Sequence, residues 1–119
     1  MTRIACCQLD PVLGDLDANS GLIESAVADA VGAGADIVVL PELATSGYMF
    51  ADGDEARVAS LPATDPRFAK WSGAVSDSLA VLGFSEWVRM ETCTTVRRSS
   101  IPADRLRSTA RHTCGIGRD

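Results

Sequence analysis

A chain of 119 residues and 12.5 kDa has room for one domain and can bury roughly two-thirds of its unfolded surface. With 46% hydrophobic residues and a mean hydropathy of +0.11 it is too apolar for a disordered chain, yet no uninterrupted apolar run approaches the ~18–20 residues of a membrane helix. The first residues, Met1 to Gln8, lack a long apolar stretch and soon meet Asp10, which argues against a secretory signal and makes the cytoplasm the default expectation.

The net charge of −5 hides an asymmetry: residues 1–86 carry 13 acids against 4 basic side chains, a net of −9, whereas residues 87–119 carry 3 acids against 7 arginines, a net of +4. A shift of this size marks a tail or a boundary, and regular apolar spacing ends at the same place. Cys6 and Cys7 lie before it, Cys93 and Cys114 after it. No C-x-x-C spacing occurs, so free thiols are expected in a reducing compartment.

In chain order, Arg3 to Leu9 is short and apolar and is followed by Pro11 and Gly14, which suits a buried first strand. From Asn19 to about Gly32 the apolar positions Leu22, Ile23, Ala26, Val27, Ala30 and Val31 recur at helical spacing, with Asp17 or Asn19 as cap and Gly32 or Gly34 as the left-handed end. Asp36 to Leu40 is β-branched and stops at Pro41, so Glu42 falls at the C-terminal end of a strand. Residues 51–66 read as a loop with room for one short helix. Asp65-Pro66 then opens a helix expected to run from about Arg67 to Leu79 and to bury Phe68, Trp71, Val75 and Leu79. Ala80 to Phe84 is a third strand. Strand, helix, strand, helix, strand predicts an α/β layer with largely parallel neighbours.

Open α/β sheets place their sites just beyond the carboxyl ends of strands, which draws attention to Glu42. A strand-end carboxylate that faces water or caps a loop is the plainer reading of the same position.

The order of motifs carries more. Arg3-Ile4-Ala5-Cys6-Cys7-Gln8-Leu9, Gly14-Asp15, Asn19 before a helix, Gly34-Ala35-Asp36-Ile37-Val38-Val39-Leu40-Pro41-Glu42-Leu43, Ser46-Gly47-Tyr48 and Val81-Leu82-Gly83-Phe84-Ser85-Glu86 together resemble the opening of the carbon–nitrogen hydrolase (nitrilase) superfamily. The resemblance implies an α-β-β-α sandwich of which this chain holds the N-terminal part. It implies assembly into homo-oligomers and hydrolysis, without a cofactor, of a small amide, carbamoyl or nitrile substrate by a Glu, a Lys and a Cys. Glu42 matches the family's general base, in a setting expected to be partly desolvated, and Tyr48 becomes a candidate for lining the substrate pocket.

Residues 1–86 are thus read as a partial carbon–nitrogen hydrolase domain and 87–119 as an Arg-rich, non-homologous tail without order. The family's Arg-Lys-x-His-Leu segment and its nucleophile motif are both absent. Lys70, the single lysine, lies in a helix without that context, and none of Cys6, Cys7, Cys93 or Cys114 sits in the nucleophile's setting.

The genetic code supplies a reason for the break. Writing codons for Trp87 onward and reading from the third base of the Trp87 codon permits Gly-Ala-Asp-Gly-Asn-Leu-Tyr-Asn-Ser-Ala-Ala, and later in that frame Arg-Lys-Thr-His-Leu-Trp-Asp-Arg-Glu. These are the family's next two motifs in order. The sequence from about Trp87 is therefore expected to be translated out of frame, and this chain to be either a fragment of a hydrolase or a non-catalytic remnant that retains only a self-association surface.

Other readings of the tail are weaker. Arg97, Arg98, Arg105, Arg107, Arg111 and Arg118 could form a basic patch, but no aromatic interleaving accompanies them after Trp87, so nucleic acid is not an expected partner and neither is a membrane. Cys93, His112 and Cys114 with Asp119 do not have paired-ligand spacing, so no metal is expected. Phe68 and Trp71 read as core. Asp52, Asp54 and Glu55 read as a solvated acidic loop without the ligand alternation calcium requires.

Overall fold

The computed structural model describes residues 1–86 together with the strand backbones of 94–100 and 106–113. The elements are β1 (Ile4–Cys6), α1 (Leu16–Gly32), β2 (Ile37–Val39), α2 (Gly53–Val58), α3 (Pro66–Val75), β3 (Leu79–Glu86), β4 (Thr94–Ser100) and β5 (Leu106–Thr113). They form one five-stranded sheet in the order β1-β2-β3-β4-β5. The first three strands are parallel, with Ala5 beside Val38 and Val38 beside Ala80, and β4 and β5 continue antiparallel. The α/β class and the parallel start are as the sequence predicts.

Side chains alternate across the sheet. Val38, Ala80, Leu82 and Phe84 point to one face and are buried there against Ile23, Val27 and Ala30 of α1 and Phe68, Trp71 and Val75 of α3. Phe68 packs edge-on to Trp71 at 5.3 Å between centroids and tilted against Phe84 at 4.5 Å, so both aromatics are core, as expected. The opposite face carries Ile4, Cys6, Ile37, Val39 and Val81. No helix covers it.

The two helices are tied by a polar chain: Trp71 Nε1 donates to Ser20 Oγ at 3.1 Å, Ser20 Oγ donates to Glu24 Oε1 at 3.2 Å, and Lys70 Nζ pairs with Glu24 at 2.9 Å. Hydrogen bonding to Lys70 holds the Glu24 carboxyl below its ordinary range. Arg67 donates to Asp17 at 2.7 Å and pairs with Asp65 at 3.1 Å, and the bond to Asp17 pushes the guanidinium up.

Several boundaries differ from expectation. The cap of α1 is Asp15, whose carboxylate accepts from the Ala18 amide at 3.0 Å, so the helix starts earlier and neither Asp17 nor Asn19 caps it. Gly34 does take the left-handed conformation (φ 83°), just after the Ala33 cap. Asp65 caps α3 with Pro66 in the first turn, but the helix stops at Val75. Ser76 has φ 54°, and Leu79 therefore opens β3 instead of closing the helix. The acidic stretch after Ala51 forms α2, with Asp52 accepting from the Glu55 amide.

The largest difference lies after residue 87. The stretch read as a tail without order contributes β4 and β5, which pair through Phe84–Val96 and Val96–Arg111 among other positions. A β-ladder is made by backbone groups. Residues such as Thr94, Thr95, Val96 and Thr109 favour it without any apolar period, and a search for that period does not find such strands.

Candidate active site

Just past the end of β2, the Leu40 amide still donates to Val81 O at 2.9 Å. Pro41 cannot donate, and the chain leaves the ladder there. Glu42 opens a turn closed on the Leu43 carbonyl, which accepts from the Ser46 and Gly47 amides at 3.3 and 3.0 Å. Gly47 has φ 76°, and a Cβ there would stand 3.1 Å from Leu13 Cα, so the turn sits directly on the 11–14 loop.

The two loops are clamped from below. Asn19 is fully buried, its Oδ1 accepting from the Val12 amide at 2.7 Å and its Nδ2 donating to Val12 O at 2.7 Å and Thr45 O at 2.9 Å. The Gly14 amide adds a bond to Ser46 O at 2.9 Å. One side chain thus serves three backbone groups of two loops, of which the Val12 carbonyl also accepts from the Asp15 amide at 3.3 Å. The sequence offered Asn19 as a helix cap. Its actual role lies one turn into α1 and depends on loops that only the fold brings together.

Beneath Glu42 lies Gly83, in the middle of β3. It follows Leu82 and precedes Phe84, so its absent side chain would point to the face without helices. There it would overlap the Glu42 carbonyl oxygen and stand 2.6 and 2.7 Å from the Glu42 carbonyl carbon and Cα. The Glu42 backbone occupies that space.

Glu42 itself is exposed, contrary to the partial desolvation expected. Its backbone lies over Gly83 on the side of the sheet that no described helix covers, and no described side chain pairs with its carboxylate. Tyr48 is 45% exposed and its hydroxyl accepts from the Leu43 amide at 3.3 Å, which places it beside Glu42 and outside the core. Lys70 is not near this turn: it lies on α3, paired with Glu24.

Cys6 is exposed on the sheet's open face, whereas Cys7 turns toward α1, its thiol 3.9 Å from Ala26 O. Burial pushes the Cys7 thiol up, with lesser contributions from Cys6 and Asp29. A raised thiol is a poorer nucleophile at neutral pH. Among the described residues no cluster of three or more His, Cys, Asp or Glu could hold a metal, and no helix is long and apolar enough to cross a membrane. Cys93, Cys114 and Asp119, weighed above as metal ligands, lie outside the described residues, as does the side chain of His112.

The fold resembles that of an amidase from Nesterenkonia sp. (TM-score 0.69, 19% identity, 94% of this chain and 42% of that one). It also resembles an N-terminal amidase solved with a Gln-Gly peptide (TM-score 0.72, 15% identity, 98% and 28%) and a glutamine-dependent NAD(+) synthetase from Cytophaga hutchinsonii (TM-score 0.67, 19% identity, 88% and 18%). This chain spans less than half the length of each. No curated protein sequence matches it. The carbon-nitrogen hydrolase family model matches residues 3–98, continuing past Glu86 into β4, and with a strand-end Glu on a nitrilase-like layer the chain belongs to the carbon-nitrogen hydrolase family.

Proposed function

We propose that this chain is the N-terminal part of a cysteine-dependent hydrolase of a small amide, carbamoyl or nitrile compound, with Glu42 as its general base. The observation that carries the reading is the placement of Glu42: a carboxylate just past the end of a parallel strand, on a turn fixed by Asn19, Gly47 and Tyr48, with no described ion pair to occupy it. In an amide the chemistry runs as follows. The carboxylate accepts the proton of a cysteine thiol, the thiolate adds to the carbonyl carbon, and the amine leaves with a proton. Glu42 then takes a proton from water, whose oxygen attacks the thioester and releases the acid and the free thiol. A lysine beside the carbonyl oxygen would stabilise the charge that develops there.

Neither the lysine nor the nucleophile is assigned to this chain. Lys70 serves the α1–α3 contact, Cys7 is held against α1, and none of the chain's cysteines sits in the family's nucleophile motif. We infer that both groups are encoded downstream in the frame that begins at the third base of the Trp87 codon, where the family's next two motifs can be read. The 119-residue chain alone is then inactive, and Tyr48 lines the substrate's approach to Glu42.

Resequencing the locus and expressing the frame-restored gene tests this reading. The expected result is a one-base difference near codon 87 and a product that hydrolyses small amides and is inactivated by thiol alkylation. An intact frame, with no lysine or cysteine motif following, would overturn it.

A further inference from the structure

We propose that Gly83 is a positioning residue for Glu42: the empty space above its Cα is the seat on which the Glu42 backbone rests. The inference builds on the assignment of Glu42 as general base and adds the residue that sets where that base stands.

The argument is steric. Gly83 lies inside β3, two residues after Val81, whose carbonyl accepts from the Leu40 amide, and just before Phe84 in the core. Glycine in a strand interior weakens the strand and marks a place where another segment of backbone approaches closely. Here that segment is identified. A Cβ at position 83 would collide with the carbonyl oxygen, carbonyl carbon and Cα of Glu42, and all three are backbone atoms that no rotamer change can move. The seat is also confined at both sides: Leu40 is tied to Val81 just before it, and the turn after it is closed on Leu43 and packed on Leu13. Any side chain at 83 must therefore push Glu42 away from the sheet while the flanking residues stay anchored. The carboxylate then moves relative to everything the rest of the site presents. Gly73 offers a contrast within the same chain, because a Cβ there meets nothing within 4 Å.

The test uses the 119-residue chain, labelled with ¹³C and ¹⁵N, as the wild type and as the Gly83→Ala and Gly73→Ala variants. In the wild type, the Gly83 α-protons should give nuclear Overhauser contacts to Glu42. In Gly83→Ala, amide shifts should concentrate at residues 40–43 and the Glu42 carboxyl carbon should move, while the Glu24 carboxyl carbon and the amides of α1 stay in place. Gly73→Ala should leave the Glu42 signals unchanged. An absent Gly83–Glu42 contact in the wild type overturns the proposal, and so does a folded Gly83→Ala spectrum with residues 40–43 unmoved. Should Gly83→Ala lose its folded spectrum, the wild-type contact decides alone. None of these readouts requires turnover, so Glu42 can be unseated without being the base, or be dispensable for hydrolysis while still resting on Gly83.

Discussion

On the helix-covered face of the sheet Val38 and Phe84 are fully buried and Ala80 and Leu82 nearly so, whereas on the opposite face Ile4 is 62% exposed and Ile37, Val39 and Val81 are only half-buried. Both sets come from the same short strands and differ only in parity. The covered face is packed by α1 and α3 into one cluster that includes Trp71 and Phe68. The other face is also apolar, with no partner layer among the described residues, and domains of this kind are built from packed layers. The contrast shows which half of the architecture this chain holds. It also explains why Glu42, whose backbone lies over the uncovered side at Gly83, is exposed.

The comparison can be broken most severely by truncating a covered position. Phe84→Ala should cost about 3–5 kcal/mol of unfolding free energy, as for other buried aromatics, while Val39→Ala on the open face should cost about 1 kcal/mol or less. Urea unfolding of both variants checks this. Equal losses would mean that the open face is covered after all.

Asn19→Ala should come next, at about 1–3 kcal/mol, because it leaves the Val12 amide and the Thr45 carbonyl without their partner and the Val12 carbonyl with the Asp15 amide alone. Its signature is local: amide exchange should quicken at residues 12–14 and 45–47 before it changes in β2. Uniform quickening would contradict the clamp.

Adjacent cysteines report on the two faces directly. At pH 7 iodoacetamide should modify exposed Cys6 several-fold faster than Cys7, read by mass spectrometry of the N-terminal peptide. The Cys7 thiol is raised in the folded chain, so the unfolded state loses its proton first. Stability from this group is therefore complete below the ordinary thiol range, near 8.5, and is lost as pH rises above it. Cys6→Ser should retain that loss and Cys7→Ser should remove it.

The smallest effect concerns Glu24. Its carboxyl is lowered by Lys70, so the contribution is present above the ordinary carboxylate range and is lost as pH falls through the folded value. Glu24→Gln should thus be slightly less stable than wild type at pH 7, and the difference should shrink as pH falls below the ordinary carboxylate range. The pair is solvent-accessible, so 1 M salt should shrink the difference.

Much of this organisation is legible in the sequence. The β-branched run that meets Pro41 fixes Glu42 at a strand end, and the three- and four-residue spacing of Ile23, Val27 and Ala30 gives α1 its buried face. What escapes is whatever depends on segments distant in the chain. Asn19 looks like a cap because its partners Val12 and Thr45 become neighbours only when β1 and β2 align. Gly83 looks like an ordinary strand glycine until Glu42 is placed above it. Leu79 fits helical spacing with Val75, but the positive φ of Ser76 turns the chain and makes Leu79 a strand residue. β4 and β5 carry no apolar period to read and are specified by backbone pairing to β3.

Hydrolysis of a small amide by the frame-restored protein, measured side by side with its Glu42→Gln variant, addresses the role of Glu42 most directly. Loss of the general base should lower kcat by at least ~10²-fold with the folded state intact and KM little changed. A correctly folded Glu42→Gln protein that turns over substrate at close to the unsubstituted rate would contradict it.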